Sequence, residues 1–189
     1  MPGIRLFIAV ELPPAANTHL TEIQKTLKTS GADAKWVEPQ NIHFTLKFLG
    51  PTPSEKFERI KSTLAQLFGS HKQFALCLES IGGFPSLDSP RVIWAGLNDA
   101  NGQLRSMALV LDQALAGMGF EKETREFQAH ATLARLRSGR NKIALIEKIK
   151  QLNQDLKPLE FSIDNITLFE SKLSPHGPTY SILHQVKFL

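Results

Sequence analysis

Apolar and polar residues alternate between Ile42 and Phe48. Ile42, Phe44, Leu46 and Phe48 interleave with His43, Thr45 and Lys47, and Gly50-Pro51 closes the run. A period of two predicts a half-buried strand with one apolar face. The other face then carries an imidazole beside a hydroxyl. A second run of the same kind, Phe127 to Leu133, again places a His and a Thr two apart, at His130 and Thr132.

The remaining pattern frames these two strands. Ile4 to Val10 reads as a strand, and Pro13-Pro14 opens a helix with Leu20, Ile23 and Leu27 on one face, ended by Gly31. Pro53-Ser54 opens a second helix to about Phe68, with Phe57, Ile60, Leu64 and Leu67 inward. A strand from Phe74 to Glu79 and a turn-rich stretch from Gly82 to Pro90 come next. The order then restarts. Arg91 to Ala95 resembles Arg5 to Ala9, and a helix from about Asn101 to Ala116 turns Leu104, Ala108, Leu111 and Leu115 inward. After the His130 strand, Ile143, Ile146 and Ile149 mark a helix. Leu159 to Phe169 and Tyr180 to Phe188 read as strands.

The offsets support a duplication. Arg5 precedes His43 by 38 positions and Arg91 precedes His130 by 39, while Phe74 and Phe161 each follow their His by 31. The expected fold is α+β and bilobal. Two lobes related by a pseudo-two-fold axis each carry an antiparallel or mixed sheet, with helices on the outer face. Residues 1–189 are read as one domain, with halves at approximately 1–88 and 89–189 and the last strand returning to the first lobe.

Composition changes this picture in a few places. A 42% apolar fraction supports a sizeable core, and the net charge of +4 suits a polyanion such as RNA. Cys77 is the only cysteine, which excludes an intrachain disulfide and a thiolate metal cluster. It is read as a core residue. The run before Glu11 is too short for a signal h-region, so a cytoplasmic protein that does not engage a membrane is expected. No Gly-Lys-Ser/Thr phosphate loop and no His-Glu-x-x-His occurs, which argues against nucleotide-driven ligation and a zinc protease site.

Two imidazoles facing one another serve as acid and base near neutral pH, and neighbouring hydroxyls donate to phosphate oxygens. Such a set suits in-line attack at phosphorus, with one His taking a proton and the other giving one. Lys47 shares parity with His43 and is read as a solvated strand-end residue that is also within reach of a phosphate. Phe7, Phe48 and Trp94 are read as core, with base stacking as the rival role. His19 and His71 are expected at the surface. His176 is a candidate to flank the site from its loop, His184 is ambiguous, and Arg137 and Arg140 are candidates to follow an RNA backbone.

His43-Phe44-Thr45-Leu46 and His130-Ala131-Thr132-Leu133 resemble the twin HxTx signatures of the 2H phosphoesterase superfamily. The opening Arg5 to Pro13, together with His43 to Gly50, is similar to the RNA 2′,3′-cyclic phosphodiesterases, also called 2′-5′ RNA ligases. The resemblance spans nearly the whole chain. It implies a bilobal fold with the active cleft between the lobes. It also implies hydrolysis of RNA 2′,3′-cyclic phosphate ends to 2′-phosphomonoesters without metal or cofactor, by a monomer, with reversible 2′-5′ ligation as an extension. It makes His43 the proton donor and His130 the proton acceptor, with Thr45, Thr132 and Arg135 binding substrate. A regular strand turns Arg135 away from His130, so it reaches a phosphate only through a bulge, a strand end or its long stem. The rival readings are a non-catalytic RNA-binding module and the same chemistry on 2′-5′ oligoadenylate or a small cyclic nucleotide.

Overall fold

Nine strands and four α-helices make up the fold among the described residues, which in this computed structural model are 3–99, 101–175 and 177–189. The strands are β1 (Ile4–Glu11), β2 (Ala34–Trp36), β3 (His43–Thr52), β4 (Phe74–Phe84), β5 (Val92–Asn98), β6 (His130–Leu136), β7 (Leu159–Ile163), β8 (Asn165–Ser174) and β9 (Gly177–Lys187). The helices are α1 (Pro14–Lys28), α2 (Phe57–Phe68), α3 (Gln103–Ala116) and α4 (Lys142–Asp155). All strand pairings are antiparallel and form one curled sheet in the order β7-β4-β5-β6-β3-β1-β8-β9, with β2 beside β6.

The chain order explains the two lobes. β3, β1, β8 and β9 make one, while β6, β5, β4 and β7 make the other. They meet at a single pair, Phe44 opposite Ala131. The fourth strand of each half crosses over: β4 pairs with β5 and β7, and β8 pairs with β1. β9 reaches the first lobe through β8.

Helix faces follow the apolar periodicity with one shift. α1 buries Ala16, Leu20, Ile23 and Leu27, and α2 buries Ile60, Leu64 and Phe68. α4 instead buries Leu145 and Ile149, leaving Ile143 74% exposed at its first turn. These faces share one core with Leu6, Ile8, Val10 and Phe44 from one lobe and Leu76, Leu78, Ile93 and Leu133 from the other.

The strands differ from the expectation in several places: β3 runs on through Gly50-Pro51 to Thr52, and the second motif strand spans His130–Leu136 instead of Phe127 to Leu133. β4 continues through Gly82-Gly83, because the Trp94 ring lies where a Cβ on Gly82 would sit, 2.3 Å away. The stretch Leu159 to Phe169 is broken at Asp164 into β7 and β8, which belong to different lobes. Cys77 is half-buried, since Leu76 and Leu78 on either side take the inward positions.

Candidate active site

Phe44 and Ala131 are each the middle residue of a His-x-Thr, and both are fully buried on the helix side. The flanking His and Thr therefore stand on the opposite face. The antiparallel sense sets His43 on the side of Thr132 and Thr45 on the side of His130. All four are half-buried, and the charge of His130 is felt at His43.

The two rings are held alike. His43 Nδ1 lies 2.7 Å from the Asn41 carbonyl oxygen, and His130 Nδ1 lies 2.7 Å from that of Gln128. A carbonyl only accepts, so Nδ1 carries the proton in both rings and Nε2 is left for chemistry. Asn17 Nδ2 donates to the Pro39 carbonyl at 2.8 Å and fixes the turn that delivers His43. Glu11 pairs across from His43, but its carboxylate turns away to accept from Thr167 Oγ1 and Gln185 Nε2.

Burial pushes His43 down to about 4. The Asn41 carbonyl opposes that shift and the nearby His130 adds to it. His130 is also lowered, first by burial, against the Gln128 carbonyl and with help from the Arg135 charge. Without substrate, both imidazoles are thus neutral at pH 7.

Each motif strand carries a β-bulge three residues after its His. Ala9 pairs with Thr45 and Ile8 with Lys47, leaving Leu46 extra. Trp94 pairs with Thr132 and Ile93 with Ala134, leaving Leu133 extra. One inserted residue reverses the parity of the positions beyond it. Arg135 consequently lies on the same face as His130 and Thr132, and its charge acts on both His130 and Tyr180. The Leu133 carbonyl, displaced by the bulge, accepts from Val37 N at 2.9 Å and from Gln24 Nε2 at 2.9 Å. Gln24 is 1% exposed and also donates to the Val37 carbonyl.

The same reversal corrects two readings in β3. Lys47 is turned inward, 6% exposed, and is ion-paired to Asp112 at 2.5 Å while donating to the Glu121 carbonyl at 2.6 Å. It is neither a solvated strand end nor a group facing the site. Burial alone would raise the Asp112 pKa, but hydrogen bonds from Lys47 and from Glu123 N bring it below the usual carboxylate range. Phe48 is turned outward and is 71% exposed, with its ring 6.1 Å from Phe7.

Aromatic rings pave the site face. Phe7 stacks on His43 at 4.8 Å and on Phe169 at 5.0 Å, and Tyr180 meets His43 edge-on at 5.2 Å. Burial raises the Tyr180 hydroxyl pKa. On the other lobe Phe84 meets His130 edge-on at 4.9 Å, and Trp94 lies over Gly82 and Gly96. Beside His130, a hollow of about 360 Å³ is lined by Ser80, Phe84, Trp94, Gly96, Leu97 and Gln128 among others.

Phe7 is buried and Trp94 half-buried, but both belong to the paved face rather than the main core. His71 packs its ring against Phe188 at 4.9 Å, and the Nε2 atoms of His19 and His184 are buried, so none of the three is freely exposed. Arg137 and Arg140 are exposed. His176 lies outside the described residues. Tyr180 and Lys35 also face this site, and nothing in the local pattern singles them out. Their positions follow from pairings made far along the chain. Among the described residues no helix is long and apolar enough to cross a membrane.

Known proteins share this fold. The chain is 33% identical over 178 residues to the RNA 2′,3′-cyclic phosphodiesterase of Methanothermobacter thermautotrophicus, covering 94% of this chain and 95% of the relative. It is 34% identical to the protein of that name from Methanocaldococcus jannaschii, covering 96% and 99% of the two chains. Its fold matches a crystal structure from Thermus thermophilus with a TM-score of 0.80 at 26% identity, over 97% of each chain. Escherichia coli LigT complexed with 3′-AMP matches with a TM-score of 0.77 at 25% identity, covering 100% of this chain and 99% of that one. The LigT like phosphoesterase family matches twice, over residues 10–94 and 96–180, and the chain belongs to that family.

Proposed function

We propose that the protein hydrolyses RNA 2′,3′-cyclic phosphate ends to 2′-phosphomonoesters, with His43 as general acid and His130 as general base. The observation that carries this reading is the pair of Nδ1-anchored imidazoles on adjoining central strands, each beside the other motif's threonine. The names of the relatives supply the substrate class. We also read residues 1–189 as one bilobal domain made of two related halves.

The asymmetry between the motifs supports the assignment of roles. Free His43 and His130 are both neutral, and an arriving phosphate anion raises both pKa values. Arg135 beside His130 works against that rise, which suits His130 to accept a proton from water. No cation stands at the matching position beside His43, where Phe48 lies instead, and the Phe7 face favours an imidazolium. As the acid, His43 takes up a proton against its burial and delivers it to the departing ribose oxygen. Thr45, Thr132 and Arg135 hold the non-bridging oxygens as charge develops. The exposed Phe48 ring offers a stacking surface for the terminal base.

Each proton transfer contributes about 10²–10⁴-fold. His43→Ala and His130→Ala should each lower kcat at least about 10²-fold on an oligonucleotide ending in a 2′,3′-cyclic phosphate, with the fold unchanged by circular dichroism. Near wild-type turnover in either variant would overturn the reading.

The hollow beside His130 favours a second reaction of the same site. Its 360 Å³ far exceeds the share of about 30 Å³ that a water molecule occupies. An RNA 5′-hydroxyl attacking in place of water would form a 2′-5′ linkage without a nucleotide cofactor. Adding a 5′-hydroxyl oligonucleotide should yield a joined product. Release of monoester alone, at every acceptor concentration, would exclude this activity.

A further inference from the structure

Lys35 stands directly opposite Arg135 in the β2–β6 pairing, so both side chains rise from the same face. Like charges opposite one another destabilise a sheet. Neither cation takes part in any ion pair among the described residues. Lys35 is also half-buried, which raises the cost of leaving its charge uncompensated. The fold nevertheless keeps room for it. A Cβ on Gly177, at the start of β9, would lie 3.0 Å from Lys35 Nζ and 3.3 Å from Cε, and Asn41 Nδ2 ties the next residue down by donating to the Pro178 carbonyl.

Two adjacent, unneutralised cations call for two negative charges. The reactive cyclic phosphate is a diester with one charge, and Arg135 matches it. Lys35 lies one strand further from His130 than Arg135 does, so its counter-charge belongs to a second group. In an RNA end, that group is the phosphodiester that links the terminal nucleotide to the one before it. A mononucleoside 2′,3′-cyclic phosphate has none.

We propose that Lys35, seated under Gly177, is a subsite for this internucleotide phosphate and selects polynucleotide ends over mononucleotides. The proposal rests on the phosphodiesterase reading given above. The test compares Lys35→Gln and Lys35→Arg with wild type on a short RNA ending in 2′,3′-cyclic phosphate and on a mononucleoside 2′,3′-cyclic phosphate. Anisotropy binding of the same RNA ending in a 2′-phosphate runs alongside.

Lys35→Gln should lose about 10- to 100-fold in kcat/KM on the RNA, chiefly through KM. It should flatten the salt dependence by about one charge and leave the mononucleotide rate unchanged. Lys35→Arg should retain most of the RNA rate. Equal losses on both substrates, or no loss on either, would overturn the subsite. Absence of wild-type turnover on both substrates would instead refute the phosphodiesterase reading. In that case the subsite is decided by whether Lys35→Gln weakens RNA binding.

Discussion

The two motif strands are built on one plan and diverge just after it. Four and five residues beyond its His, β3 carries Lys47 inside and Phe48 outside, whereas β6 carries Ala134 inside and Arg135 outside. A bulge at the same offset aims the outer residue at the site in both. One lobe thus presents a flat ring and the other a fixed positive charge. A two-fold frame supplies a symmetric pair of imidazoles, while hydrolysis needs an acid and a base. In the proposed reaction, the exchange of an aromatic ring for a guanidinium is the difference available to separate the two.

The largest expected effect lies under the first strand. Removing Lys47 leaves the Asp112 carboxylate, 15% exposed, without its cation and with the Glu123 N–H as its remaining donor. Lys47→Ala should cost about 3–5 kcal/mol in urea unfolding. A loss below about 1 kcal/mol, the worth of an exposed pair, would mean that the ion pair does not hold α3 to β3.

On the second strand, Arg135→Ala should lower kcat about 10²–10³-fold with little change in stability. An effect confined to KM would restrict Arg135 to ground-state binding. Next comes the pH dependence of stability. His43 has a folded pKa of about 4 against 6.5 for a solvated imidazole, so folding favours its neutral form. The associated stability is complete above pH 6.5 and is lost as pH falls from 6.5 to 4, about 3 kcal/mol at most. His43→Gln should flatten that decline, and denaturation midpoints above this window, at about pH 7.5, and near its lower end, at about pH 4.5, measure it. A slope identical to wild type would contradict the burial of the ring.

Smaller still, Phe48→Ala should cost about 1–3 kcal/mol in kcat/KM, mostly through KM. If an abasic terminal sugar shows the same ratio, the ring does not stack on a base. Gln24→Leu should destabilise by about 1–3 kcal/mol, because the bulged Leu133 carbonyl loses a donor. It should also reduce kcat through Arg135, an effect that a purely structural glutamine would not have.

Much of this was legible in the sequence because period-two alternation marks both motif strands and 3.6-residue spacing marks the helices. His43, Thr45, His130 and Thr132 share a face by parity alone. Parity failed at Lys47, Phe48 and Arg135, since Leu46 and Leu133 give no sign that either is a bulged residue. The carbonyl that accommodates the second bulge accepts from Val37 N and from Gln24, the latter 109 positions away in the chain. The break at Asp164 was equally silent, as an apolar run does not reveal that its two halves join different lobes.

The crossing of β4 and β8 has a consequence for how the gene can be cut. A fragment ending near residue 88 carries β4 without either of its neighbours, and the complementary fragment carries the β8–β9 hairpin without β1. Neither piece closes its own sheet, so each exposes an unpaired backbone edge prone to self-association. Only the two pieces together carry the partners of every ladder. The chain is therefore a candidate for splitting near residue 88, with activity expected only when both pieces are present.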